Sequence, residues 1–269
     1  MSAQVLPMSE LDLGLPPPRE RRPFYSGVAM STNAVQDYGT PIELFTAICR
    51  KMEGLPPDGG EQSRGPWVDP FASAWNALVP RYYSLPGGGG IAEDGLRQTW
   101  KPPPGTPRYV VFNPVYEDSE NPCATRCKKK RCMERGFCLL EYKPGMPDAL
   151  IKAEHEALSH GMECVGILPA RQAEWFQRTI APPPEVAGAL LASECRAFPG
   201  AASPWHGYLR TVDTQVYRYQ RLEVEVVRLA QRQRFRTPPG ALTAEGLPVK
   251  MDSAGFDSML VVWRGLASR

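Results

Sequence analysis

Asn113-Pro114-Val115-Tyr116 closes the apolar run that begins at Tyr109. The Asn113 amide oxygen and the Pro114 carbonyl oxygen can accept the two hydrogens of one planar amino group. An adenine amino nitrogen is a poor nucleophile, because its lone pair is spread into the ring. Two acceptors aimed at its hydrogens favour the tetrahedral geometry it needs to attack a methyl sulfonium. Tyr116 can stack on a base drawn out of a duplex. Val115 alters neither acceptor; compared with proline it gives up only backbone stiffness. An ordinary strand-ending turn uses the same residue types, so the tetrapeptide does not decide the matter alone.

A second group suggests a metal. Four of the seven cysteines, Cys123, Cys127, Cys132 and Cys138, fall within sixteen residues, separated by three, four and five residues. Four thiolates on a short loop can close a tetrahedral shell round Zn²⁺ and lend folding energy to a segment with little core. Reduced thiols without metal, or an iron–sulfur cluster, are the alternatives. The same stretch carries Arg126, Lys128, Lys129, Lys130, Arg131 and Arg135 against the single acid Glu134. Placed directly after the Asn113 loop, these cations are expected to contact phosphate. A second basic cluster, Arg228, Arg232, Arg234 and Arg236, either flanks the same groove or is the exposed face of an amphipathic element. Cys49, Cys164 and Cys195 lie in apolar patterns and are expected in the core.

The elements that must position these residues are legible in part. The first 35 residues, with "LPPPRERRP", predict a flexible Pro-rich arm. Ile42, Leu44, Phe45, Ile48 and Met52 recur at helical spacing after Thr40-Pro41. "ASAWNALV" also reads as a helix, whose capping is the alternative to a ligand-binding role for Asp69, and "PGGGG" reads as a loop. "PDALIKAEHEALSHG" reads as a helix stopped by glycine. "RYVVF", "ECVGILPA", "ECRAF" and "SMLVVWRG" read as strands, whereas "RLEVEVVRL" and "QRFRT" fit strand or helix. This alternation predicts an α/β domain over residues 36–269 with three layers and a mostly parallel sheet, binding ligands at the carboxyl ends of its strands. Residues 119–146 are expected to form a cysteine-rich basic insertion, a zinc-stabilised finger. No segment approaches the roughly 18 apolar residues of a membrane span, and no secretory leader is evident; a soluble, cytoplasmic protein is expected. The net charge of +2 is uninformative about partners.

The segments "YGTPIELF", "VDPFASAWNALVPRYYS", "DGLRQTW", "VVFNPVY", "GILPARQAEWF" and "SMLVVWR" follow one another from Tyr38 to Trp263. In this order they resemble the phage-type DNA N6-adenine methyltransferase family. The resemblance implies a Rossmann-like methyltransferase fold, S-adenosylmethionine as cofactor, double-stranded DNA as partner, and a location in the cytoplasm of a cell hosting a phage or prophage. It implies that Thr40 and Pro41 line the cofactor pocket, and that Asp69, Pro70, Phe71 and Ala72 form the segment that holds the cofactor. Asp94 would reach its adenosine. Asn113, Pro114 and Tyr116 would be catalytic. No glycine-rich turn follows Asp69, and valine replaces the second proline of the family's tetrapeptide. Arg171, Trp175 and Phe176 face the substrate cleft or pack a short helix.

Other chemistries are less well served. There are three histidines and neither a nucleophile elbow nor a phosphate-binding Walker sequence. The competing readings are a methyltransferase for cytosine N4, an RNA base or a protein glutamine, and a catalytically silent zinc-containing DNA-binding protein.

Overall fold

The computed structural model describes residues 39–84, 89–114, 145–170, 194–219, 221–231, 233–236 and 257–266. The N-terminal arm, Val115 and Tyr116, nearly all of the cysteine-rich segment, and Arg171, Trp175 and Phe176 lie outside the described residues. Most of the "PGGGG" loop does too.

Helix α1 spans Ile42–Met52 and starts from Pro41, with Glu43 in its first turn and Arg50 and Lys51 in its last, as the helix dipole favours. Thr40 stands one position before the cap. Helix α2 spans Met146–His160. The Asp148 carboxylate accepts from the Gly145 amide at 3.0 Å at its start, and Gly161 ends it in a left-handed conformation, φ 58°. The basic insertion thus ends before Met146, where the second helix begins.

Two short strands, β1 (Tyr83–Ser84) and β2 (Ala92–Glu93), pair in parallel. Six more form the main sheet: β3 (Tyr109–Phe112), β4 (Glu163–Pro169), β5 (Glu194–Pro199), β6 (Thr211–Arg218), β7 (Leu222–Leu229) and β8 (Ser258–Gly265). Their spatial order is β3-β4-β8-β7-β6-β5. Only β3 and β4 run parallel; the pairs β4–β8, β8–β7, β7–β6 and β6–β5 are antiparallel. The expectation of a mostly parallel sheet is therefore wrong, and the fold is α/β with a mixed sheet. A connection as short as that from Arg218 to Leu222 cannot make the crossover a parallel pair needs.

Both faces of the sheet are covered, which is why β3, most of β4 and the middle of β8 are continuously apolar. Leu44, Ile48 and Cys49 of α1 pack against Tyr109, Val111, Val165, Ile167, Leu260 and Val262. Met146, Ala149, Leu150, Ala153 and Ala157 of α2 pack against Val110, Cys164, Val261 and Trp263 on the opposite face. Cys49 and Cys164 are buried as expected, but Cys195 is exposed, because β5 lies at the edge of the sheet. No helix among the described residues is long and apolar enough to cross a membrane.

Gly166 of β4 sits opposite Phe112, whose ring stacks on Trp263 with centroids 6.0 Å apart. A Cβ at Gly166 would lie 3.0 Å from the Phe112 ring and 3.1 Å from the Trp263 ring. Both rings are wholly buried and have nowhere to retreat. Gly166→Ala should lower stability by about 1–3 kcal/mol, the usual cost of overpacking, in urea unfolding. An unchanged midpoint would contradict this packing.

Candidate active site

The sequence between α1 and β3 organises the site without a long element. "ASAWNALV" forms a series of turns instead of the expected helix. The Ser73 amide donates to Asn76 Oδ1 at 2.7 Å, and the Asn76 and Ala77 amides donate to the Ser73 carbonyl. Serine and asparagine offer the backbone this local alternative to a helix. Asp69 consequently caps no helix.

Residues 82–84 form the middle strip of this region. On one side Tyr83 donates its amide to the Asp69 carbonyl at 2.9 Å, and Ala72 donates to the Tyr83 carbonyl at 3.2 Å. On the other side the amides of Ile91 and Asp94 donate to the carbonyls of Tyr82 and Ser84. The candidate segments 69–72 and 94–95 are thereby held either side of one strip. They also touch directly: a Cβ on Gly95 would fall 1.8 Å from the Pro70 carbonyl oxygen. Only glycine permits so close a backbone approach.

An aromatic cluster joins these segments to the end of β3. Phe71 lies edge-on to Trp100 and to Phe112, with centroids 5.7 and 5.8 Å apart; Trp100 and Phe112 are 5.4 Å apart. Trp100 is wholly buried and donates its indole N–H to the Gly95 carbonyl at 2.8 Å. Phe112 immediately precedes Asn113, so the ring contact fixes where β3 delivers the Asn113–Pro114 pair. Asn113 is partly accessible and Pro114 buried. Such edge-on pairs contribute about 0.5–1.5 kcal/mol each beyond area burial.

The two acids differ in character. Asp94 is buried and has a positive φ of 62°. One carboxylate oxygen accepts from the Leu96 amide at 3.2 Å, and the other pairs with Arg97 Nε at 2.8 Å. Asp94 therefore shapes its own turn, whatever else it does. Asp69 keeps some solvent contact, yet protein packed round it pushes its carboxyl up to about 7; the Phe71 amide and the nearby Arg236 guanidinium pull the other way. Oδ1 accepts from Phe71 at 3.3 Å, while Oδ2 has no protein hydrogen bond among the described residues.

Thr40 and Pro41 are buried at the start of α1. Arg236 ties them to the rest, donating Nε to the Thr40 carbonyl at 3.0 Å and Nη2 to the Asn76 carbonyl at 2.8 Å. Arg236 was expected either beside a groove or on the exposed face of an amphipathic element; its guanidinium instead turns inward onto these two carbonyls. Arg228 of the same cluster pairs with Asp213 across β6 and β7, leaving Arg234 exposed. Lys152 and the wholly buried Glu156 of α2 form a further ion pair at 2.6 Å, with the Lys152 ammonium 5.8 Å from the Trp100 ring centroid.

Thr40, Pro41, Asp69, Pro70, Phe71, Ala72, Asp94, Asn113 and Pro114 thus belong to linked segments. Tyr116, Cys123, Cys127, Cys132, Cys138 and the cations Arg126, Lys128, Lys129, Lys130, Arg131 and Arg135 lie outside the described residues. Among the described residues no cluster of His, Cys, Asp and Glu has a metal-binding arrangement. Comparison with family models, curated proteins and solved structures returned no match.

The Asp69 carboxyl should titrate with a midpoint near 7, read from its carboxyl carbon by NMR. Because ionising it in the fold costs more than in the unfolded chain, stability should fall as pH rises from about 4 through 7. Asp69→Asn should remove that slope. A midpoint near 4 would mean the carboxyl is well solvated.

Proposed function

We propose that this protein is an S-adenosylmethionine-dependent DNA methyltransferase acting on the N6 amino group of adenine, with the three-layer architecture of the Rossmann-like methyltransferases. The observation that carries this reading is the linkage of four segments, 40–41, 69–72, 94–95 and 113–114, through the Phe71–Trp100–Phe112 cluster, the Gly95–Pro70 contact and Arg236.

The residues fit the cofactor's chemistry. S-adenosylmethionine has a cationic ammonium and sulfonium, and its sulfonium supplies an activated methyl group when bound. Asp69 offers an acid whose Oδ2 is not committed to a protein donor, suited to the ammonium. Asp94 lies across the strip from it, where a ribose hydroxyl can join Arg97 at the carboxylate. Thr40 and Pro41 form a further wall.

Asn113 Oδ1 and the Pro114 carbonyl accept hydrogen bonds from the adenine amino group and draw its nitrogen toward tetrahedral geometry. Carriage on a buried strand keeps these acceptors in place. Pro114 fixes its own φ whatever residue follows, so Val115 leaves both acceptors available. Tyr116 stacks on the extruded base, and the basic residues from Arg126 to Arg135 neutralise phosphates beside it. No general base with a shifted pKa is required, because the methyl group is already activated.

Incubation with labelled S-adenosylmethionine and unmethylated duplex DNA, RNA or protein, followed by digestion, should yield N6-methyladenine from the DNA. Asn113→Ala should lower the rate by about 10²–10³-fold, as loss of one preorganised transition-state contact does, while cofactor affinity is kept. A product other than N6-methyladenine, or an undiminished rate in Asn113→Ala, would contradict the proposal.

A further inference from the structure

We infer that Arg236 is a positioning residue for the cofactor cleft, a fork that sets the separation between the Thr40–Pro41 wall and the 69–76 wall. This rests on the function proposed above. Nothing in the local sequence marks Arg236 out from its basic neighbours; the role comes from contacts across 196 and 160 residues of chain.

The two carbonyls that the guanidinium joins belong to segments far apart in the chain, one before α1 and one in the turns that follow Asp69. Its own backbone is docked as well: the Gly39 amide donates to the Arg236 carbonyl at 2.9 Å, and the Arg236 amide to the Gly39 carbonyl at 2.8 Å. This antiparallel bridge brings a segment from beyond β7 against the residues before α1. Phe235 beside it is buried in the α1-side core, so the docking is anchored. The guanidinium lies against Gly39, where a Cβ would stand 3.0 Å from both Nε and Nη2. It also lies 5.8 Å from the Trp75 ring centroid, and its charge acts on the Asp69 carboxylate.

The planar fork of arginine suits this work. It presents donors in fixed directions and so can hold two carbonyls at a set spacing, whereas an ammonium is a single point of charge. A cofactor lying between the walls then meets them already placed and spends little of its binding energy on ordering them. Arg236 touches no reacting atom in this scheme; its effect is on binding.

The test uses the full chain with S-adenosylmethionine alone in calorimetry, then with DNA in steady-state assays. Arg236→Gln should weaken cofactor binding about tenfold, the scale of one charge-assisted hydrogen bond. KM for the cofactor should rise in parallel, with kcat recovered at saturation. Arg236→Lys should fall close to Arg236→Gln, because it keeps the charge but not the fork. Loss of folded protein alone would lower kcat and leave KM unchanged. Should Arg236→Gln not fold, Gly39→Ala supplies the same test by displacing the guanidinium, with a smaller loss in the same direction. Unaltered cofactor affinity in the folded variant, beside a wild-type protein that binds, would overturn the role of Arg236 alone. A wild-type protein that binds no S-adenosylmethionine would overturn the proposed function and this inference with it.

Discussion

The contact among Phe71, Trp100 and Phe112 is the constraint on which the candidate site depends. Phe112 belongs to the main sheet, Phe71 to the loop after Asp69, and Trp100 to the segment after Asp94. Each ring is packed from a different stretch of chain, so none can shift without disturbing the others. Through them a buried strand, which tolerates little movement, dictates the placement of loops that have almost no regular structure. The Gly95–Pro70 approach tightens the same junction from the backbone side.

The polar interactions separate into two regions with different work. Near the strands' carboxyl ends Asp94 pairs with Arg97, and Arg236 bridges the Thr40 and Asn76 carbonyls while its charge acts on Asp69. At the other end of the sheet Arg264 binds Glu225 at 2.7 Å and Glu163 at 2.9 Å, while Trp205 donates to Glu225 at 2.9 Å. Arg264 and Glu225 of that second network, with Lys51, Arg196, Arg218 and Glu223, line a cavity of about 270 Å³. Its acids and arginines are largely paired with each other, which suits a structural role in joining β4, β7 and β8. A surplus of paired charge there adds little to stability beyond satisfying what is buried.

How far the sequence could be read follows from what each signal depends on. Strands β3, β4 and β8 were legible because burial on both faces leaves continuous apolar runs. The helices were legible from their periodicity and from Gly161. Strand β6 was not, because "TVDTQVYR" is mixed and mostly half-buried, giving neither an apolar run nor a clean alternation. The turns at 73–77 defeated helix propensity through Ser73 and Asn76, two residues whose side chains compete for the backbone. At the site, the candidate residues were found from local segments in a recognisable order. The contributions of Gly95, Trp100 and Arg236 depend on contacts between distant parts of the chain, and no local pattern announces them. The cysteines of the expected finger show the same limit from the other direction, since four thiols at given spacings specify a possible shell and not its closure.

The proposal that the four segments make one cofactor cleft is tested most directly by NMR. Amide shifts of the full-length protein are followed as S-adenosylmethionine is added. A shared cleft requires saturable shifts at Thr40, Phe71, Ala72, Gly95 and Asn113 together, with one affinity for all of them. Shifts confined to the cavity lined by Lys51, Arg196 and Arg264, or the absence of any saturable shift, would contradict it.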